Sequence, residues 1–186
     1  MSGEEPSDAV LIARAVDGDH RAFTIIAKRH GPRMAGTVRA LGVAMSDVED
    51  VTQSALIAAW KNLGNFKVEL SLPAWLCVIA ANKGRDWVRQ RRVRSFWFGA
   101  KSIEDLETLN VGDDHDAIGI EERRELRRVA AAMALIPAHL RAPLVLVSAG
   151  GLTYREAASA LGISHKALET RLARARKRLG ELLADD

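Results

Sequence analysis

Apolar residues along this chain recur at intervals of three and four, and period-two alternation is nearly absent, so the pattern predicts helices throughout and no sheet. The first clear helix spans roughly Asp19 to Leu41, with Gly31-Pro32 expected to kink or break it. Ser46-Asp47-Val48-Glu49 has the form of a capping box, and behind it Val48, Val51, Ala55, Leu56, Ala59, Trp60 and Leu63 form one stripe. A long helix preceded by Ser71 and Pro73 carries Trp75, Leu76, Ile79, Ala80, Trp87 and Val88 into the run Arg89-Gln90-Arg91-Arg92-Val93-Arg94. These segments predict a bundle of three or more helices. Trp75 and Trp87 stand twelve residues apart, just over three turns, and are expected to face inward.

Further along, Glu121 to Leu135 is amphipathic and Ile136-Pro137 ends or turns it. His139 to Ser148 is a second apolar stretch, closed by Ala149-Gly150-Gly151. Thr153-Tyr154-Arg155-Glu156 then reads as a capping box that opens a short helix through Leu161. In Gly162-Ile163-Ser164 the glycine is suited to a left-handed turn and the serine to capping the next helix, which runs to about Leu183. A short helix, a tight glycine turn and a basic second helix match the helix-turn-helix motif.

Composition changes this picture little: 48% apolar residues in 186 suffice for a packed core, and a disordered chain is excluded. The single cysteine, Cys77, cannot form an internal disulfide and reads as a small buried thiol. The acidic, polar N-terminus is unlike a signal peptide, and no apolar run approaches the ~18 residues of a membrane span. The expected address is the cytoplasm, without membrane insertion.

Charge changes it more. The net charge is only +3, but residues 1–94 carry 14 Lys+Arg and 10 Asp+Glu, residues 95–122 carry 1 and 8, and residues 123–186 carry 12 and 6. Two basic segments therefore flank an acidic one. The middle segment holds Gly99, Gly112, Gly119 and the cluster Gly112-Asp113-Asp114-His115-Asp116 and reads as a linker, although Ser102-Ile103-Glu104-Asp105 fits the start of a short helix. The fold class expected is all-α: two small helical domains, 1–94 and 123–186, joined by an acidic connector at 95–122.

Catalytic chemistry finds no pattern to rest on. There is no phosphate-binding glycine loop, no Cys/His metal spacing and no recognisable acid pair, and the five histidines are scattered. No enzyme, catalytic residue, metal, cofactor or small-molecule substrate is expected. Nucleic-acid chemistry fits better. A helix-turn-helix lays its second helix in the major groove, which makes Ser164, His165, Lys166, Glu169, Thr170, Arg171 and Arg174 the candidates for base and phosphate contacts. Glu169 either accepts from a cytosine amino group or pairs with a neighbouring Arg. In the first lobe, Lys83, Arg85, Arg89, Arg91, Arg92 and Arg94 read either as a solvated helix end or, with the aromatics nearby, as a face for unstacked bases. Asp47, Glu49 and Asp50 stand opposite an apolar stripe, where an acidic face suits a basic partner better than a metal.

These residues also carry a family resemblance. Gly18-Asp19-His20-Arg21-Ala22-Phe23, Asp47 to Gln53, and Ala74 to Asn82 with Asp86 and the arginine run resemble region 2 of the bacterial sigma-70 family. Leu135-Ile136-Pro137 with Leu140-Arg141, Leu152 to Ala158, and Thr170 to Arg176 resemble region 4. Two such regions joined directly are similar to the extracytoplasmic-function (ECF) subgroup. The resemblance implies that Asp47, Glu49, Asp50 and Gln53 bind core RNA polymerase. It implies that Asn82, Lys83, Arg85, Arg89, Arg91 and Arg92 hold the non-template strand of the minus-ten promoter element, with a base extruded into the loop near Asn82. It implies that the helix from Ser164 reads the minus-thirty-five element, that the acidic linker threads toward the RNA exit channel, and that an anti-sigma factor restrains the protein in a stress or envelope response. Lys166-Ala167-Leu168-Glu169 stands where many relatives have Gly-Thr-Val-Lys, so their base preference does not transfer. The loop Lys67 to Leu72 also departs from the common patterns. Two other readings compete: a stand-alone helix-turn-helix regulator, and a sigma mimic that titrates an anti-sigma factor.

Overall fold

The computed structural model describes residues 6–66, 71–98 and 120–184, with the side chains of 92–98, 120, 122 and 123 left out. Eight α-helices make up the described residues: α1 (Asp8–Val16), α2 (His20–Ala40), α3 (Met45–Asn62), α4 (Leu72–Phe98), α5 (Ile120–Leu135), α6 (Ala138–Ser148), α7 (Tyr154–Leu161) and α8 (His165–Ala184). A single 3-10 turn, Leu63–Asn65, follows α3. The class is all-α. Helices α4 and α5 reach into both ends of the expected connector, and the short helix expected at Ser102 lies outside the described residues.

Helix α1 was not anticipated from the periodicity. Ser7 caps it by accepting from the Val10 amide, and Asp8 fastens it to α2 through Arg29 Nη1 at 2.6 Å and His30 Nε2 at 2.9 Å. Asp19 then caps α2, accepting from the amides of Arg21 and Ala22, and takes Arg14 Nη2 at 2.7 Å. The hydrogen bond from Arg14 holds the Asp19 carboxyl below its ordinary range.

Two local expectations are corrected. The helix expected to kink or break at Gly31-Pro32 continues through it as one helix, so the break does not occur. Proline removes one amide donor, but Ile26 and His30 before it and Met34 and Val38 after it are buried, so tertiary packing holds the helix across the defect. The capping box at Ser46 does not form. Helix α3 starts at Met45 with Ala44 in the cap position, and the Ser46 hydroxyl donates to Asp47 Oδ2 instead.

The first core joins α1 to α4 around Leu11, Ile26, Met34, Val38, Ala55 and Leu76. Trp75 and Trp87 pack against it half-buried, as their spacing predicts, and Trp60 is met edge-on by Phe23 at 5.0 Å. The second core is not confined to the later helices. Leu41, Ala74, Cys77 and Ala81, from the end of α2 and one face of α4, share it with Ile136, Leu144, Leu146, Leu168 and Leu172. The two lobes are thus fused along a common apolar seam.

Cys77 lies in that seam, fully buried, and burial pushes its thiol pKa up. The expected outcome is slow reaction with Ellman's reagent in the native protein and rapid reaction after unfolding in urea; equal rates would place the thiol at the surface. Leu168→Ala, at a fully buried position, is expected to cost ~2–5 kcal/mol, read as a lowered urea midpoint of the second lobe.

Candidate nucleic-acid and polymerase interfaces

The helix-turn-helix is built locally. Thr153 Oγ1 accepts from the Glu156 amide at 3.3 Å, and Glu156 Oε2 accepts from the Thr153 amide at 2.7 Å, so the predicted capping box opens α7. Gly162 ends it at φ +63°, and the Ile163 amide donates back to Ala158 O at 3.0 Å. Ser164 Oγ accepts from the Ala167 amide at 3.2 Å at the start of α8. Leu168, Leu172 and Ala175 turn one side of α8 into the core. That register leaves Ser164, His165, Lys166, Glu169, Thr170 and Arg174 exposed and Arg171 half-buried.

Glu169 is engaged within its own helix. Its carboxylate sits 3.8 Å from both His165 Nδ1 and Lys166 Nζ, so the pairing partner is the preceding turn and not the Arg expected from spacing. Arg176 is turned elsewhere, donating through Nη1 and Nη2 to Tyr154 Oη at 3.2 Å, which ties α8 to α7. Lys177 and Arg178 both face Glu181. Toward the start of α8 stand Lys166, shared with Glu169, and Arg171 and Arg174, which meet no carboxylate among the described residues.

In the first lobe, Glu49, Asp50 and Gln53 are exposed on α3, and Gln53 Nε2 donates to Glu49 Oε1 at 3.1 Å. Asp47 differs: it lies 3.9 Å from Arg91 Nη1 of α4, and the Arg91 guanidinium rests 5.1 Å over the Trp87 ring. One member of the expected polymerase-binding set therefore touches one member of the expected minus-ten set. Nothing in the spacing of residues 47 and 91 signals this, because it depends on how α3 crosses α4. On α4, Arg85 donates to Asn82 Oδ1, Arg89 pairs with Asp86 at 3.1 Å, and Lys83 is exposed. Arg92 lies on α4, but its side chain is outside the described residues, as are positions 67–70 of the loop before it.

The two sets of DNA candidates meet between the lobes. Arg85 and Arg89 of α4, Arg171 of α8 and His139 of α6 line one cavity of about 270 Å³, floored by Leu41 and Val88. Two contacts missed by sequence reasoning hold the lobes in this arrangement. The buried Arg141 donates through Nη1 to the carbonyls of Met133 and Ala134 at 3.2 Å, and its guanidinium packs against Gly42. A Cβ on Gly42 would come within 2.9 Å of it. From the other side, Arg33 Nε donates to Ala149 O at 3.2 Å. Among the described residues no group of three or more His, Cys, Asp or Glu is placed to hold a metal, and no helix is long and apolar enough to cross a membrane.

Comparison with known proteins sets these surfaces in context. The family model for sigma-70 region 2 matches residues 26–94, and that for sigma-70 region 4 matches residues 126–179. The chain is 41% identical to the RNA polymerase sigma factor CnrH of Cupriavidus metallidurans over 186 residues, covering 98% of this chain and 97% of CnrH. It is 28% identical over 180 residues to the ECF RNA polymerase sigma-E factor of Escherichia coli, covering 94% and 93%. A solved structure of CnrH in complex with the cytosolic domain of CnrY superposes with a TM-score of 0.68, at 33% identity over 96% of this chain and 98% of that one. The sigma factor RpoE in complex with the anti-sigma factor NepR from Bartonella quintana gives 0.65 at 25% identity, covering 88% and 98%.

Gly162→Ala isolates the turn, because a Cβ there meets nothing within 4 Å and only the left-handed backbone is strained. The expected loss is ~1–2 kcal/mol, seen as a lowered melting midpoint, and Thr153→Ala should cost ~1 kcal/mol through its cap.

Proposed function

The chain belongs to the sigma-70 family, in its extracytoplasmic-function group, and on that premise we propose that it binds core RNA polymerase and directs promoter-specific initiation of transcription. It acts as a specificity subunit with no reaction centre of its own, in the cytoplasm, where polymerase and DNA are found. The observation that carries this reading is the pairing of an exposed acidic α3 with a capped helix-turn-helix whose second helix presents Lys166, Arg171 and Arg174. In this reading residues 1–94 and 123–186 are the two working domains and 95–122 the connector between them.

The division of labour follows from the chemistry of each face. Glu49, Asp50 and Gln53, with Asp47, offer hydrogen-bond acceptors and negative charge to a basic polymerase surface. Asn82, Lys83, Arg85, Arg89, Arg91 and Arg92 on α4 offer an amide and cations to an unstacked single strand, with the indole of Trp87 beside them. Ser164, His165, Lys166, Thr170, Arg171 and Arg174 meet the duplex, and the internally paired Glu169 orders Lys166 and His165 at the helix start. An anti-sigma factor restrains the free protein, a partner supported by the complexes of CnrH and RpoE.

Geometry adds one requirement. The minus-ten and minus-thirty-five elements lie about 25 base pairs apart, ~85 Å at ~3.4 Å per base pair. Arg85 and Arg171 line a single small cavity, so they cannot reach both elements at once in the arrangement described. Promoter engagement therefore requires the two lobes to separate along their apolar seam. A stand-alone regulator would have no use for the acidic α3 face.

Core polymerase supplemented with this protein is expected to produce run-off transcripts from a cognate promoter among genomic fragments; duplex binding without polymerase association would favour the stand-alone regulator. Arg171→Ala should lower promoter use about tenfold or more, in line with ~1–3 kcal/mol for one base contact, while pull-down of core polymerase stays unchanged. Asp50→Arg should abolish that pull-down and leave binding to a minus-thirty-five duplex intact.

A further inference from the structure

The cavity between the lobes brings together cations from two surfaces that the promoter reading assigns to different DNA elements. Three of its polar lining residues are cations, Arg85 and Arg89 from α4 and Arg171 from α8, and the imidazole of His139 from α6 completes the polar wall. No acidic side chain lines it, and among the described residues no carboxylate comes within ion-pair distance of Arg171, which is half-buried there. Arg85 has only the neutral amide oxygen of Asn82, and the Asp86 that meets Arg89 is itself largely exposed. Like charges gathered round one cavity repel, so closing the lobes concentrates positive potential there. The first turn of α6, which contributes Ala138 and His139 to the wall, has Pro137 in the cap position and no side chain to cap it, so its positive end adds to the same field.

From this convergence we propose that the inter-lobe cavity is a binding site for a small, multiply charged phosphate anion, which bridges α4 to α8 and holds the lobes closed. A cavity of about 270 Å³ has room for inorganic phosphate or pyrophosphate with part of its hydration and is too small for a double helix. Guanidinium groups present forked donors that match phosphate oxygens, and three of them from two lobes suit a multiply charged anion better than a chloride. Because the anion binds only where the two lobes meet, it stabilises the closed form by mass action. It uses Arg85, Arg89 and Arg171, so anion and promoter compete. That consequence for transcription rests on the proposed function, whereas the anion site stands on the cavity itself.

Titration calorimetry of the full chain with pyrophosphate at fixed ionic strength tests the proposal. The expected result is one saturable site per chain, weakened at least tenfold by Arg171→Ala and by Arg89→Ala, whose side chain is 75% exposed and dispensable for folding. Lys28→Ala, which removes an exposed cation from α2, should leave the affinity within twofold. Absence of saturable heat, or equal loss in all three variants, overturns the site. The Cys77 thiol reports closure: pyrophosphate should slow its reaction with Ellman's reagent at least threefold in the parent protein and not in Arg171→Ala, and an unchanged parent rate overturns the bridge. Protection of Cys77 by a short non-promoter duplex but not by pyrophosphate would assign the cavity to DNA backbone phosphates and also overturn it. Neither measurement contains polymerase or promoter, so these failures leave the initiation reading untouched, and failed run-off transcription leaves the site standing.

Discussion

The architecture depends on one apolar seam, in which the small residues Ala74, Cys77 and Ala81 on α4 and Leu41 at the end of α2 share a core with α6 and α8. Small side chains let helix backbones approach closely, and this face of α4 would otherwise expose apolar surface to water. The seam therefore decides both the compact arrangement and the position of the helix-turn-helix relative to the first lobe. Arg141 reinforces it in a way open only to a residue facing glycine: its guanidinium occupies the space a side chain at position 42 would fill, while donating to the carbonyls that end α5. Breaking the seam exposes an apolar stripe and removes the packing of Arg141 on Gly42. The closed form is thus held by burial, with a few directional bonds to set its register.

Electrostatics works against that burial. The residues proposed to meet DNA are cationic in both lobes, and closing brings three of their arginines round one cavity. In the proposed reading, in which the lobes close when idle and part on DNA, a modest change in counter-charge biases the balance. The link between Asp47 and Arg91 is a smaller case of the same coupling. Both side chains are over a third exposed, so the pair contributes only ~0–1 kcal/mol.

Much of the fold was legible because it is written in short-range chemistry. Thr153 with Glu156, Gly162 and Ser164 lie within a dozen residues of one another, and each acts on backbone groups three or four positions away, so their pattern alone specifies the turn. The same reasoning misfires where long-range packing competes. Ser46 carries the capping pattern, yet α3 begins one residue before it because Val43 and Val48 are drawn into the first core and set the helix start. Pro32 carries the signature of a break, yet buried residues on either side hold α2 together. Helix α1 went unread because its anchors, Asp8 with Arg29 and His30, are more than twenty residues apart in the chain.

The amino-acid sequence by itself determined the helical class, the capped helix-turn-helix, the acidic face of α3 and the basic character of α4 and α8, all of which follow from periodicity and local hydrogen bonding. The charge pattern likewise marked two basic regions and an acidic stretch between them, since charge is additive along a chain. Only the tertiary structure decided that Cys77 belongs to a seam between lobes, that Arg141 rests on Gly42, that Arg91 meets Asp47, and that Arg85, Arg89 and Arg171 surround one cavity. These depend on which helix faces meet. That choice minimises exposed apolar area over the whole chain at once, and no window of neighbouring residues contains it.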